Sequence, residues 1–163
     1  MKLSLVIAAA LAAVSLSAAE KVIFQDSFEN AANWFRNGKT GQFKFVDGGK
    51  NGKCLNAVTE NYAFLCNLRK GLPVKEGVKV KVSFFAKGKG FMTTTPMGRK
   101  GNQVAYLKGG GAFKLDEKDW KECSVTFAFQ DAKVKGIDNL GFRLNFYQNC
   151  NLMIDDLQFT VIE

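Results

Sequence analysis

Two adjacent carboxylates, Asp155 and Asp156, interrupt a run of β-formers in NLMIDDLQFT (Asn151–Thr160). Neighbours on a regular strand point to opposite faces, so one of the pair must turn inward, where a bare carboxylate is costly. It then needs several hydrogen-bond donors or a cation. A matching acidic strand, VIFQDSFEN (Val22–Asn30), carries Asp26 and Glu29, and the two segments are expected to pair. A second set is of another kind. In Asn139–Gln148, alternation sends Leu140, Phe142, Leu144 and Phe146 to one side and Gly141, Arg143, Asn145 and Tyr147 to the other, with Gln148 at the end. Aromatic surface beside guanidinium and amide groups is the chemistry that holds a sugar ring. Phe85, on the open side of its strand, and Tyr62, at an expected hairpin, add stacking surface, as do Phe91 and Tyr106.

For covalent chemistry the chain is poorly equipped. It has no histidine, which removes Ser-His and Cys-His nucleophile pairs and an imidazole base. A glycosidase would need two carboxylates astride the scissile bond, and no acid sits among the open-face aromatics. Tyr147 beside Arg143 is a pair that a small polysaccharide lyase could use, which keeps that activity as the minor alternative.

These residues must be positioned by strands, because helix signals are nearly absent. ENAANWF (Glu29–Phe35) is the one helix-like piece. Elsewhere short β-rich runs alternate with turn clusters, as at Asp47–Gly52, Lys87–Gly90 and Gly109–Gly111. In Gly77–Ala86, the residues Val78, Val80, Val82, Phe84 and Ala86 share the inward side; Cys123, Val125, Phe127 and Phe129 do so in the strand from Trp120. Many short strands without helical crossovers predict an all-β, two-sheet antiparallel sandwich, with 15 Phe available for its core.

Residues 1–19 stand apart. Met1-Lys2 gives a basic start, Leu3–Leu16 an apolar run and Ser17-Ala18-Ala19 a small-residue cleavage site, the pattern of a signal peptide cut near Ala18 or Ala19. Residues 20–163 then form one domain, exported to the periplasm, the cell surface or the medium. No later apolar run is long enough to span a bilayer. Four cysteines in an exported chain favour two disulfides among three possible connectivities. The expected pairs are Cys54–Cys66, across a hairpin turning near Glu60-Asn61, and Cys123–Cys150; buried free thiols are the alternative. The chain has 23 basic and 15 acidic residues, but the lysines are dispersed, which speaks against nucleic acid and for a solvated sheet.

The order of features resembles the carbohydrate-binding modules of the CenC type, galactose-binding-like jelly rolls. The pieces that carry the resemblance are FQDSFEN, Trp34, GGKNGKCLNAV, NLRKGLPVKEGVKVKVSFFAKG, the W-x-x-x-S-V-T-F of Trp120–Phe127, and LNFYQNCNLMIDDLQF. The resemblance implies a two-sheet jelly roll, structural roles for Trp34 and Trp120, and a structural Ca²⁺ near the paired termini. Carried onto this chain, the calcium oxygens would come from Glu29 or Asp26, from the turn at Gly48, and from Asp155 or Asp156; the hard cation suits such a mixed oxygen set.

The reading is a secreted, non-catalytic module that recognises a poly- or oligosaccharide through an open sheet face. Its alternative is a structural or adhesive cell-envelope sandwich that binds other cell-surface proteins.

Overall fold

The computed structural model of the protein describes residues 19–36, 41–60 and 63–163. Most of the expected leader, and Tyr62, lie outside the described residues. The strands are β1 (Glu20–Asp26), β2 (Trp34–Arg36), β3 (Gly41–Asp47), β4 (Lys53–Thr59), β5 (Ala63–Leu68), β6 (Leu72–Pro73), β7 (Lys79–Lys100), β8 (Gln103–Tyr106), β9 (Ala112–Ala128), β10 (Asn139–Phe146) and β11 (Cys150–Ile162). All pairings are antiparallel.

Hydrogen bonding runs unbroken through both layers, because β7 belongs to each in turn. Its first half pairs with β11 and β9, and β11 is flanked beyond by β4, then β3, and by β1. Its second half pairs with β10 and β8, and β10 leads on to β5 and β2. The cluster Lys87–Gly90, expected as a turn, is instead the bend inside this 22-residue strand. Gly88 (φ 106°) and Gly90 (φ 155°) make it possible. A Cβ on Gly88 would lie 2.2 Å from the Asn151 carbonyl oxygen, and one on Gly90 would lie 2.7 Å from Cys150 Sγ. Only glycine tolerates both the conformation and the approach.

Alternation fixes what lies between the layers. Val80, Val82, Phe84 and Ala86 on β7 are buried, as are Leu140, Phe142, Leu144 and Phe146 on β10. Rings meet across the gap: Phe142 stands edge-on to Phe159 at 4.8 Å, and Phe43 meets Phe146 at 5.6 Å. The terminal strands pair as expected, from Glu20 opposite Ile162 to Asp26 opposite Leu157.

Three expectations are corrected. The segment Glu29–Phe35 is no helix: Asn30 accepts from the Ala32 N–H, the chain turns, and β2 begins at Trp34. No hairpin joins β4 to β5, since β4 lies between β11 and β3 while β5 lies between β10 and β2. The expected disulfide Cys54–Cys66 is therefore not made, and Cys123–Cys150, between β9 and β11, is not made either; Cys54, Cys123 and Cys150 are free and buried. Burial pushes all three thiols up, Cys150 to about 12.

Candidate functional site

The acidic residues come together where β11 changes partners. Asp155 is opposite Phe85, but the next ladder position joins Gln158 to Ser83, so one extra residue forms a bulge with Asp156 at φ 48°. The inward phase shifts there from Leu152 and Ile154 to Leu157, Phe159 and Val161. Asp155 is fully buried and accepts from the backbone N–H groups of Lys50 and Asp156, each at 2.7 Å. Burial raises its carboxyl above the ordinary value, while the backbone donors of Asp156, Lys50 and Asn51 oppose the rise. Asp156 faces outward, near Asn51 Nδ2 (3.4 Å) and Lys50 Nζ (4.0 Å).

Glu29 accepts from the Lys53 N–H at 3.0 Å, and Gly48 turns the loop between β3 and β4 with φ 97°. Asp26 is buried and accepts from Phe28 N (2.7 Å), Trp34 Nε1 (2.7 Å) and Asn33 Nδ2 (3.0 Å). Glu29, Asp155 and Asp156 are thus gathered around the turn between β3 and β4, and Asp26 is held apart by Phe28, Asn33 and Trp34. Their oxygens, however, face N–H donors and one ammonium, where calcium would need converging oxygens. Among the described residues no group of three or more acidic, Cys or His side chains is arranged to hold an ion. Backbone and indole N–H groups hold Asp26 and Asp155, while Glu29 accepts one backbone N–H through Oε1 and Asp156 meets only the Asn51 amide and the Lys50 ammonium.

The second set lies on the outer face of the second layer. Arg143 is opposite Thr95, Asn145 opposite Thr93, and Gly141 opposite Met97, whose other partner is Tyr106. Cross-strand partners share a face, so β10, β7 and β8 present these residues together. The Arg143 guanidinium lies 5.9 Å over the Tyr106 ring. Tyr147 meets Phe91 ring to ring at 4.9 Å, and its hydroxyl is 3.3 Å from Thr93 Oγ1. Gln148 is exposed and helps line a cavity of about 370 Å³ beside Phe91. Asn145 is buried, with its amide donating to Thr93 O and Oγ1 and to Thr95 Oγ1. Its part is to hold the two threonines rather than to meet a ligand.

Phe85 is not brought to this set. It lies on the first layer under the Lys50 ammonium, 3.1 Å from the ring centroid. Trp34 is fully buried, stacked on Phe28 at 5.5 Å; Trp120 is half-buried with Lys87 Nζ 4.5 Å over its ring. Register adds residues that strand-by-strand reading missed. Phe35 is opposite Asn67, which is opposite Arg143, and Val104 is opposite Arg99. Tyr106 (63% exposed), Phe35 (51%), Val104 (46%) and Phe91 (37%) are four of the six exposed large hydrophobics among the described residues, and all four stand on this face. The first layer's outer face instead carries Lys79, Lys81 and Lys87.

No protein-family model and no curated protein matches the chain. Solved structures do. The CBM22-1 xylan-binding domain of Paenibacillus barcinonensis Xyn10C has a TM-score of 0.63 at 15% identity, covering 90% of this chain and 98% of that one. The family 11 carbohydrate-binding module of the Clostridium thermocellum cellulosomal cellulase Lic26A-Cel5E has a TM-score of 0.62 at 19% identity, covering 90% and 95%. A cyclase from Fischerella sp. TAU has a TM-score of 0.65 at 12% identity, covering 88% and 98%. At these identities the likeness is one of fold: the chain has the jelly-roll β-sandwich fold that these structures share. The two modules are of families 22 and 11, and neither is named as of the CenC type.

Proposed function

We propose that residues 20–163 form an exported, non-catalytic module that binds a poly- or oligosaccharide on the outer face of the second layer. The observation that carries this reading is the concentration of exposed Phe35, Phe91, Val104 and Tyr106 around Arg143 and Tyr147 on one sheet face. Flat apolar surface ringed by directional donors suits a sugar ring, whose faces are apolar and whose edge carries hydroxyls. The sharing of a fold with a xylan-binding domain supports it. Export is supported by the leader pattern of residues 1–19. The non-catalytic reading rests on the absence of histidine and of any carboxylate at the outward positions of β10; the shared fold of a cyclase makes fold alone insufficient.

The test is affinity electrophoresis through gels containing soluble xylan, β-glucan, galactan or pectin, followed by Tyr106→Ala and Arg143→Ala. Retardation by at least one polymer is expected, weakened roughly tenfold or more in both variants while their melting temperatures stay near that of the parent. Retardation by no glycan, with an ordered oligomer in light scattering, would instead favour an adhesive envelope protein. Release of reducing or unsaturated ends would overturn the non-catalytic assignment.

A further inference from the structure

The glycan-binding reading leaves the chemical class of the glycan open, and the charges on the face narrow it. Along the outward positions of β7 from Phe91 to Arg99, of β10 from Asn139 to Asn145 and of β8 at Val104 and Tyr106, no residue is Asp or Glu. The acid that comes nearest is Asp116 on β9, at the Phe91 end, where it lines the cavity beside Phe91 and is paired with Lys89 at 3.3 Å. The cations are guanidinium groups, Arg99 and Arg143 on the sheet and Arg69 at the rim just past β5, with the Lys114 ammonium opposite Phe91 on β9.

Arg99 is the unusual one. Its Nε is buried and has no hydrogen-bond partner, the only such side-chain atom among the described residues. A buried donor left unmet is costly, so an unmet one beside a binding face calls for an acceptor. It stands at a cavity of about 300 Å³ that it lines with Phe35, Leu68 and Arg69. The residue as a whole is half-buried, and Gly141 leaves room beside it: a Cβ there would sit 3.5 Å from Arg99 Nε and 3.4 Å from Met97 Cε, so a longer side chain would lie over the guanidinium. Arg143 and Arg99 are anchored four residues apart along the ladder, through Thr95 and Asn139, about 13 Å. That exceeds one sugar ring, so the two cations would meet carboxylates on different rings of one chain.

We infer that this face takes a polysaccharide bearing uronic acids: the rings lie on Tyr106, Phe35 and Phe91, and their carboxylates reach Arg99, Arg69 and Arg143. The planar guanidinium fork matches a carboxylate in geometry and charge. The inference rests on the assignment of this face as the glycan site.

The experiment compares polygalacturonate and alginate, as sodium salts, with carboxyl-reduced polygalacturonate, neutral xylan and dextran sulfate, using the unaltered protein of residues 20–163. Retardation by a uronate polymer is expected. Reducing the carboxylates to alcohols should weaken it at least about tenfold, as should Arg99→Met, which keeps the stem and removes the charge. Neutral xylan binding as well as the uronate polymers would overturn the inference and leave the glycan reading intact. Equal retention by dextran sulfate would overturn it too, since that polymer offers charge without the planar carboxylate. Retention by none of the polymers removes both readings together.

Discussion

The Asp26 carboxylate gives the sharpest prediction about what holds the fold. It accepts from the Phe28 N–H and the Trp34 indole N–H, both of residues with no exposed surface, and from the exposed Asn33 amide. Asp26→Ala leaves the first two donors unpaired in the interior, while Asn33 turns to water. Two buried orphans at ~1–3 kcal/mol each give a loss of about 4 kcal/mol, a large part of an ordinary domain's stability. For a chain of this size that is a fall in Tm of roughly 10 °C. Asp26→Asn keeps one accepting oxygen and should lose about half as much. The decisive arm is a double-mutant cycle read by urea denaturation. In the Asp26→Ala background the indole donor has already lost its partner, so Trp34→Phe should cost at least ~1 kcal/mol less there than in the parent. Additive costs would refute the claim that the indole–carboxylate bond is the linkage. The same melts run with EDTA and with added calcium should coincide, because the acids are met by N–H groups. A midpoint that drops in EDTA would restore the ion.

Two further outcomes follow from burial. The native protein should leave Cys54, Cys123 and Cys150 unreactive toward a thiol reagent at neutral pH, since burial raises each thiol; all three should react once urea unfolds the chain, and fast labelling of Cys150 in the native state would contradict its placement. Asp155 has its folded pKa above the unfolded value, so the folded chain binds that proton more tightly and this group's contribution to stability falls as pH rises through the folded pKa. The difference in urea midpoint between the parent and Asp155→Asn should therefore move in the parent's favour as pH falls from 7 toward 4. A difference moving the other way would show that the N–H donors outweigh the burial.

Much of the fold was legible because it is written locally. The alternation of Leu140, Phe142, Leu144 and Phe146 needs only the period of a strand, and it set Arg143 and Tyr147 on the open side without knowledge of any neighbour. The pairing of the terminal strands followed from their matched acids. What escaped is information that lies across strands. Gly88 and Gly90 look like a turn until Asn151 and Cys150 are seen to press against them. Asn145 looks like a sugar ligand until Thr93 and Thr95 claim its amide. Phe35, Arg69 and Arg99 carry no signal along the chain; only the register of β2, β5, β10 and β7 brings them to one face. The cysteines misled for a related reason, since an even count in an exported chain argues for bridges while the topology puts β4 and β5 apart.

The pairing of β1 with β11 also has a mechanical consequence. Glu20 is opposite Ile162, and the Glu163 N–H donates to the Ala19 carbonyl at 3.1 Å, so both ends of the described domain leave from one point. Tension applied between residues 20 and 163 would load this antiparallel ladder from its open end and part its hydrogen bonds one after another, like a zip, instead of shearing them all at once. The bulge at Asp155-Asp156 lies at the far end of that ladder, where β4 replaces β1 as the neighbour of β11. There the tear would meet the buried carboxylate and the turn it holds, and peeling would have to stop or unfold the whole sandwich.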